Sequence, residues 1–569
     1  MADPRLFETP EHIQSVANYE AWYRSAAHVT RGYADGPHGQ IHYRIAKPAK
    51  ASRRPLICFH PSPNSGRNFD KLIAEMGRDR VAVAPDTPGH GDSDEPGDAP
   101  DIQDLATAME SLIDTLGFGA FDVMGYHTGC KIAAEIAIRR PDQVRHVVLV
   151  SAPVYTEEEF KEYLSHYGER PLDDAGDTYV ASFTGAQRWS DAGRRGVLLE
   201  RDLNEQSRGG FNAHWGHRAS SRYQHVDHLP KVTQPILVLS PQDDLWEQTK
   251  RCVPLLRNGR LLELPGMAHG FLSLRAPGIG MILREFLDDD SGDAAPRTAR
   301  VHAPAPHASR RAFAPTRHGQ LHYRIRLPEK PSGSPPLLCF HMAPISGKQF
   351  LAFLPEIGLD RLVLAVDMPG FGESDMPRDL PSTADFAAAM SDLIDSFGFR
   401  QVDLLGDHTG GFIAIELAIR RPDAVRRVVL TSTPVINDAE RASRRIGPPI
   451  LSDDGSHARE RWQAAMRWRV PGLDNRFVLQ YCQESVRAGP LVWWGPRASY
   501  TYPTAARAAL VRQPVLVLTP HDSTHAQTWR LEKLLPNVRM QDMPPHVVAS
   551  AFEAQPKAMA DAMREFLKA

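Results

Sequence analysis

Two segments of the chain place a histidine between glycines, where an apolar run passes directly into a helical pattern. The first reads VMGYHTG from Val123 to Gly129 and the second reads LLGDHTG from Leu404 to Gly410. Their histidines, His127 and His408, lie 281 positions apart. Imidazole has an ordinary pKa of about 6.5, so its neutral, basic form is abundant at pH 7. At the apex of a tight turn it could attack an acyl carbon, or accept a proton from water or from carbon.

A second candidate group is a short element that occurs in both halves, as WGHRAS from Trp215 and as WGPRAS from Trp494. The guanidinium of Arg218 offers a planar fork of donors that could clamp a substrate carboxylate. The alternative is structural, with the tryptophan packed and the arginine bound to a nearby acid, and we favour it. Tyr126, Trp215 and Arg218 are the candidate substrate contacts.

A metal centre built from His60, His127 and His269 is a further interpretation, because imidazole is a common metal ligand. No cysteine or carboxylate is spaced with these histidines as a recognisable ligand set. We therefore predict no metal and no cofactor.

The elements that position these groups are short apolar strands alternating with amphipathic helices, and the series occurs twice. This alternation predicts a mostly parallel, doubly wound sheet in each half. Each half also contains a long stretch without strand character, at about 154–234 and about 435–513. These two stretches interrupt the alternation of strands and helices.

The domain boundaries follow from the repeat and from composition. We predict a helical extension at residues 1–30, a first domain at residues 31–288 and a second domain at residues 316–569. Residues 289–315 are rich in Asp, Ala, Pro and Arg without periodicity, which predicts a linker. We expect the two halves to pack as a pseudo-dimer, like a fused homodimer, with the oligomeric state left open.

The composition indicates a small-molecule substrate. Lys and Arg total 66 against 69 Asp and Glu, and no basic block indicates a nucleic acid or a membrane surface as a partner. No stretch is long and apolar enough to span a bilayer. The first residues carry acid before any apolar run, unlike a secretory signal, so we expect a cytoplasmic protein.

Three motifs, taken in order, resemble the α/β-hydrolase superfamily. They are the loop after the apolar run 56–59, the sequence DTPGHGDSD at 86–94 with its counterpart DMPGFGESD at 367–375, and the glycine-bounded turns. The turns resemble the nucleophile elbow G-x-S-x-G, with histidine in place of serine at the apex. The resemblance implies an α/β fold of two tandem α/β-hydrolase-like domains, each with a helical cap inserted at about 154–234 and about 435–513.

The resemblance also implies individual site residues in the first domain. Ser62 and Thr128 fall where that family has the backbone N–H donors of its oxyanion hole. His269 falls in the loop that carries the catalytic histidine. Asp244 takes the position of the catalytic acid, with Asp243 as the register alternative.

The second half carries an incomplete version of this set. Ser523 replaces the acid and Val548 replaces the histidine, although Asp522 and His408 remain. His408 stays a candidate catalytic residue, but we predict that the first domain carries the activity and that the second is degenerate.

The functional prediction is a hydrolase of a small acyl compound such as an ester, lactone or amide. His127 would act as nucleophile or as general base, with His269 as its partner. One alternative is a cofactor-independent lyase or isomerase, in which the same two histidines transfer protons at carbon. Another is a non-catalytic ligand-binding protein, since one fold hosts many functions.

Overall fold

The chain folds into two units, each built on one eight-stranded sheet. The computed structural model describes residues 29–166, 171–191, 194, 196–288, 309–443, 446–449, 451–452 and 454–568. The first unit spans Met1–Pro306 with Leu451–Arg459, and the second spans His307–Ile450 with Glu460–Ala569. Most of the predicted N-terminal extension and most of the predicted linker lie outside the described residues.

The strands of the first unit follow the order β1-β2-β4-β3-β5-β6-β7-β8 across the sheet. Their bounds are β1 Val29–Gly36, β2 Gly39–Ala46, β3 Leu56–Phe59, β4 Ala82–Pro85, β5 Phe121–Tyr126, β6 Val144–Val150, β7 Ile236–Pro241 and β8 Gly259–Leu264. β2 pairs antiparallel with both β1 and β4, and every pairing from β4 to β8 is parallel. The predicted, mostly parallel sheet is confirmed.

The helices of the first unit connect these strands and cover the sheet. Their bounds are α1 Asp70–Met76, α2 Ile102–Leu116, α3 Thr128–Arg139, α4 Glu157–His166, α5 Asp177–Gln187, α6 Val197–Ser207, α7 Trp215–Arg222, α8 His225–His228, α9 Trp246–Lys250, α10 Phe271–Leu274 and α11 Ala276–Leu287. Helices α4 to α8 all lie between β6 and β7, within the stretch predicted to be an insertion.

The second sheet has the same strand order, β9-β10-β12-β11-β13-β14-β15-β16. Its strands are β9 Ser309–Thr316, β10 Gly319–Arg326, β11 Leu337–Phe340, β12 Val363–Val366, β13 Val402–Asp407, β14 Val425–Thr431, β15 Val515–Thr519 and β16 Val538–Asp542. The helices of this half are α12 Phe353–Ile357, α13 Thr383–Phe397, α14 Thr409–Arg420, α15 Asp438–Ala442, α16 Ser456–Met466, α17 Asn475–Arg487, α18 Trp494–Thr501, α19 Thr504–Ala508, α20 His525–Trp529, α21 Ala551–Ala554 and α22 Pro556–Lys568.

Both faces of the first sheet are covered, which explains its continuous apolar strands. Side chains alternate along a strand, so Ile57 and Phe59 of β3 enter the core beneath α2 and α3. Leu56 and Cys58 of the same strand enter the core beneath α1 and α11. The parallel strands therefore end together at one edge, and the loops that follow them can bring side chains into one site.

Two predicted boundaries differ from the structure. β1 begins at Val29, inside the range predicted as an extension. β9 begins at Ser309, inside the predicted linker, because residues 309–316 pair along their whole length with β10. In addition, residues 451–459, predicted to lie in the second insertion, belong to the first unit. Among the described residues, no helix has both the length and the apolar character needed to cross a membrane.

Candidate active site

The two histidine turns, residues 125–129 and 406–410, have the same backbone geometry. His127 follows β5 and precedes α3 with φ 48° and ψ −112°. His408 follows β13 and precedes α14 with φ 47° and ψ −107°. A positive φ is uncommon for a residue with a side chain and costs on the order of 1–3 kcal/mol, so it persists where the surroundings impose it.

The glycines of the first histidine turn are required by close approach of the backbone. A Cβ on Gly125 would lie 2.1 Å from the carbonyl oxygen of Gly129. A Cβ on Gly129 would lie 2.0 Å from the carbonyl oxygen of Phe59, at the end of the neighbouring strand β3. The glycine pattern therefore seats the start of α3 against the end of β3 and leaves His127 at the apex.

His127 forms a pair with Asp243, which lies just after β7. The distance from His127 Nε2 to Asp243 Oδ2 is 3.4 Å, and the histidine side chain is 17% exposed while the carboxylate is fully buried. The Ser151 hydroxyl donates to the same carboxylate oxygen at 2.5 Å, and the Leu245 N–H donates to the other at 3.0 Å. Asp243 is thus held by two further donors while it faces the imidazole.

His269 forms a second pair, with Asp244. The distance from His269 Nε2 to Asp244 Oδ1 is 2.8 Å, and these side chains are 24% and 31% exposed. The other ring nitrogen, Nδ1, lies 2.9 Å from the hydroxyl of Tyr126, which is also 3.5 Å from Asp243 Oδ2. The buried Tyr126 hydroxyl therefore connects the two His–Asp pairs; the predicted role of Tyr126 as a substrate contact stays a prediction.

The helical insertion holds the backbone of His269. The His269 N–H donates to the carbonyl of Trp189 at 3.1 Å, and the Asp191 N–H donates to the carbonyl of His269 at 2.9 Å. The next residue, Gly270, has a φ of 99° and precedes α10. The insertion therefore positions the second histidine.

The charges in the site shift the pKa values of His127, Asp244 and Tyr126. Burial lowers the pKa of His127, but the hydrogen bond and charge of Asp243, with the charge of Asp244, leave it above its usual value. Burial would raise the pKa of Asp244, yet the hydrogen bond and charge of His269 bring it down to about 2. Burial and the charges of both carboxylates hold the pKa of Tyr126 well above its usual value, so its hydroxyl stays protonated.

The two imidazoles lie side by side. Their ring centroids are 5.4 Å apart and their planes are nearly perpendicular, at 89°. Each ring has its own carboxylate partner, Asp243 for His127 and Asp244 for His269. The two residues that the sequence offered as alternatives for the catalytic acid are therefore both paired, each with a different histidine.

The remaining predicted site residues of the first unit differ in their burial. Ser62 follows β3 and Thr128 begins α3, and both are buried. A Cβ on Gly216 of α7 would lie 1.9 Å from Ser62 Oγ, so the start of α7 lies against the predicted oxyanion loop. On that helix Trp215 is half-buried, whereas Arg218 is exposed.

His60, which the sequence suggested as a possible metal ligand with His127 and His269, does not belong to the group of possible ligands that contains these two histidines. His60 donates from Nδ1–H to the Pro61 carbonyl and accepts at Nε2 from the Thr87 N–H, each at 2.9 Å. It therefore holds the loop after β3, as a structural histidine. One group of donor atoms that lie within 4.8 Å of one another belongs to His127, Asp243, Asp244 and His269. Their mutual hydrogen bonds account for this group as two His–Asp pairs.

Sequence reasoning missed Ser151 as a partner of Asp243. Ser151 follows β6 with a φ of 50°, and Ser432 follows β14 with a φ of 45°. The Ser432 hydroxyl also donates to the matching carboxylate, Asp522. The recurrence of S-x-P at 151–153 and 432–434 was the signal that could have identified this position.

Among the described residues of the second unit, no histidine takes the position that His269 has in the first. Counting along the aligned strands β8 and β16 places Val548 opposite His269. Counting back from α10 and α21 instead places Ala549 there, because Gly270 and Ser550 both precede these helices in left-handed conformations. Both counts give an apolar residue, so the second histidine turn has no second imidazole at this position.

A family model of the alpha/beta hydrolase fold matches residues 54–244 and 335–454 of the chain. These two regions make up more than half of the sequence, and each contains strands of a different sheet. The protein therefore belongs to the α/β-hydrolase family.

Several curated proteins are similar to parts of the chain. A 2-hydroxymuconate semialdehyde hydrolase of Pseudomonas sp. (strain CF600) is 42% identical over 78 residues, which are 14% of this chain and 28% of that protein. A bifunctional esterase/perhydrolase of Acinetobacter calcoaceticus is 27% identical over 253 residues, 41% of this chain and 91% of that protein. A non-heme haloperoxidase of Rhodococcus erythropolis is 25% identical over 256 residues, 42% of this chain and 93% of that protein. Together with the family, these relatives support an enzyme of the hydrolase class, with the reaction left open.

Solved structures of about half the length of this chain are also similar. A hydrolase from Pseudomonas aeruginosa PA01 has 20% sequence identity and a TM-score of 0.39, covering 46% of this chain and 98% of its own. The enol-lactonase from Burkholderia xenovorans LB400 has the same identity and TM-score, covering 45% of this chain and 100% of its own.

Proposed function

We propose that the first unit hydrolyses a small acyl compound, such as an ester, lactone or amide, with water activated by the imidazole of His127. The observation that carries the proposal is the pairing of both histidines with carboxylates, joined by the Tyr126 hydroxyl. Two His–Asp pairs in one site can accept one proton and donate another in a single turnover.

His127 is assigned the role of general base. With Nε2–H directed at Asp243, the lone pair that remains lies on Nδ1, next to the ring carbon that bears Cβ. That nitrogen is sterically hindered as a nucleophile toward an acyl carbon, whereas it can accept a proton from an intervening water. Asp243 would hold this tautomer and stabilise the imidazolium that forms, as the acid of a catalytic triad does.

The His269–Asp244 pair is assigned the second proton transfer. After the water oxygen bonds to the acyl carbon and its proton passes to His127, the acyl–oxygen bond breaks and the leaving oxygen requires a proton. To supply it, His269 enters the turnover as an imidazolium whose Nε2–H faces the partly exposed Asp244. The leaving oxygen displaces the carboxylate and takes this proton, and the proton held by His127 then returns to His269 through solvent, which restores both rings. Backbone N–H groups of Ser62 and Thr128 would stabilise the negative charge on the acyl oxygen.

The relatives support this class of reaction. One is named an esterase/perhydrolase and another a semialdehyde hydrolase. The substrate of this chain would be set by the helical insertion, whose helix α7 begins beside Ser62.

The test is release of nitrophenol from a panel of short and medium acyl esters by wild type, His127→Ala and His408→Ala. We expect His127→Ala to lose activity and His408→Ala to keep it. Activity that survives in His127→Ala, or that falls equally in both variants, would contradict the assignment to the first unit.

A second candidate is a lyase or isomerase, because two imidazoles 5.4 Å apart can remove and return a proton at carbon. Turnover of activated carbon acids, with no ester hydrolysis and with dependence on both His127 and His269, would favour it over the hydrolase.

A further inference from the structure

Three side chains of the second unit, His521, His525 and Asp542, meet beside its edge strand β16. His521 lies in the loop after β15, His525 begins α20 and Asp542 ends β16. Each offers one ligand atom, and these atoms lie within 4.8 Å of one another. The side chains are 32%, 28% and 50% exposed, so solvent reaches the group. Two imidazoles and one carboxylate form a donor set that suits zinc and related transition metals.

The distances within this group, which we call the His–His–Asp cluster, match those between neighbouring ligands of one ion. Asp542 Oδ1 lies 2.9 Å from His525 Nε2 and 3.3 Å from His521 Nε2. Zinc binds imidazole nitrogen and carboxylate oxygen at about 2.0–2.2 Å, so ligand atoms at angles of about 90–110° are about 2.8–3.6 Å apart. The two imidazole rings are stacked, with centroids 4.5 Å apart and planes inclined by 22°. Both rings can therefore bind one ion with little rearrangement.

The hydrogen bonds within the His–His–Asp cluster compete for the same ring nitrogen. The Trp529 indole N–H, which can only donate, lies 3.3 Å from His525 Nε2. The same nitrogen lies 2.9 Å from the Asp542 carboxylate, which accepts. If Nε2 carries a proton, the indole loses its acceptor, and if Nε2 carries a lone pair, that lone pair faces the carboxylate. A metal ion bound by both atoms stabilises the second arrangement.

The two rings of the cluster also share one carboxylate oxygen. Both His521 Nε2 and His525 Nε2 face Oδ1 of Asp542. In the first unit, by contrast, each imidazole of the active site has its own carboxylate, so that hydrogen bonds account for that group. Hydrogen bonds within the His–His–Asp cluster do not satisfy it in the same way.

The first unit carries a cation of its own at the corresponding place. Helices α9 and α20 begin at matching positions, and Glu263 and Asp542 have matching partners in the neighbouring strand. The Lys250 ammonium lies 3.7 Å from Glu263 and 4.4 Å from the centre of the Trp246 ring. At an offset of 279 positions, the second unit has His525 for Trp246, Trp529 for Lys250 and Asp542 for Glu263, with His521 for Gln242. The lysine is thus replaced exactly where two imidazoles are gained.

We propose that the His–His–Asp cluster of the second unit binds a divalent transition-metal ion, with zinc as the representative ion. The ion supplies from solution the positive charge that Lys250 supplies in the first unit. Three protein ligands and a water complete a four-coordinate zinc site, which links the loop after β15 to α20 and β16. His521 Nε2 donates to the Met543 carbonyl at 2.9 Å, and when the ion replaces this proton a bound water can donate there instead. The proposal does not depend on the hydrolase activity of the first unit.

The test is isothermal titration calorimetry of the full chain with zinc chloride, and with magnesium chloride as the matched probe. Magnesium prefers oxygen ligands and retains its waters, so a cluster with two imidazole nitrogens should discriminate against it. We expect zinc to bind at least about tenfold more tightly than magnesium. Absence of zinc binding, or equal affinity for the two ions, would overturn the proposal.

His521→Ala tests the position of the site, because it removes one ligand and leaves the four donor groups of the first unit unchanged. We expect this variant to lose one bound zinc ion, or to bind it at least about tenfold more weakly. The control is His546→Ala, at an exposed position four residues after Asp542, which should bind zinc as wild type does. If His521→Ala fails to fold, Asp542→Asn replaces it, with the same expected loss.

Trp529→Lys tests the comparison with the first unit without changing a ligand. The new ammonium group should approach Asp542 as Lys250 approaches Glu263, and it should lower zinc affinity at least about tenfold. Trp529→Phe, which adds no charge, is its control and should keep zinc binding. Unchanged zinc affinity in a folded His521→Ala, Asp542→Asn or Trp529→Lys protein would refute the proposal.

Discussion

Replacement of Asp243 by asparagine tests the role assigned to His127. Asparagine keeps the shape of the side chain, and its oxygen can still accept from the Leu245 N–H, which donates to Asp243 Oδ1 at 3.0 Å. Its amide can donate to the Ser151 hydroxyl, which now donates to Oδ2. The fold should therefore be preserved, while the negative charge that faces His127 Nε2 is removed.

The magnitude follows from the geometry of the pair. A hydrogen bond to a charged group contributes about 1.5–3 kcal/mol, and the 3.4 Å separation of His127 and Asp243 places this one at the weak end. A loss of about 1.5 kcal/mol from the transition state corresponds to about a tenfold lower kcat. We expect that loss at a pH high enough for His127 to be neutral in both proteins.

The pH profile gives a second, independent readout. Asp243 helps raise the pKa of His127, and a general base must be neutral, so wild-type kcat/KM should fall as pH decreases through that raised pKa. In Asp243→Asn burial remains while the charge is gone, so the acidic limb should move to lower pH. The measurement is kcat/KM for a nitrophenyl ester from pH 5 to pH 9, with the exposed Asp142→Asn as control. An unchanged acidic limb in a folded Asp243→Asn protein would refute the general-base assignment.

Three further outcomes are expected. Tyr126→Phe removes the hydroxyl 2.9 Å from His269 Nδ1 and should lower kcat by about fivefold to tenfold with little change in KM, whereas a purely structural tyrosine would alter folding stability alone. Gly129→Ala should destabilise the protein by about 3 kcal/mol or more in urea unfolding, because its Cβ would meet a backbone carbonyl at 2.0 Å. Gly185→Ala, in α5 with nothing within 4 Å of the added Cβ, should stabilise it by about 0.5–1 kcal/mol, and similar effects of the two changes would contradict the packing argument. His408→Ala should leave ester hydrolysis within about twofold of wild type, and a tenfold loss would place catalysis in the second unit as well.

The sequence predicted the sheets because their signals are local. The apolar runs at β3, β5 and β6 alternate with helical patterns, and glycines mark the turn where α3 meets β3. The position of the site could also be predicted, because side chains that follow the parallel strands β5 and β7 must lie at the same edge of the sheet. His127, Asp243, Asp244 and His269 are accordingly in contact.

The pairing within the site could not be predicted, because it depends on side-chain rotamers and on residues far apart in the sequence. The α/β-hydrolase resemblance offered one acid for one histidine, whereas the structure gives each imidazole its own carboxylate. The Tyr126 hydroxyl became a link between the pairs because β5 points it into the core. Strand β9 was not predicted, because its sequence is polar and contains proline. It forms a strand because it pairs with β10.

The central claim is that the His127 imidazole activates water and does not form a bond to the acyl group. Rapid-quench kinetics, with mass spectrometry of the intact protein during turnover of a nitrophenyl ester, tests this claim most directly. The account predicts linear release of nitrophenol from the first turnover and no mass increase on the protein. A burst of about one nitrophenol per chain, with an acyl adduct on the peptide that contains His127, would contradict it.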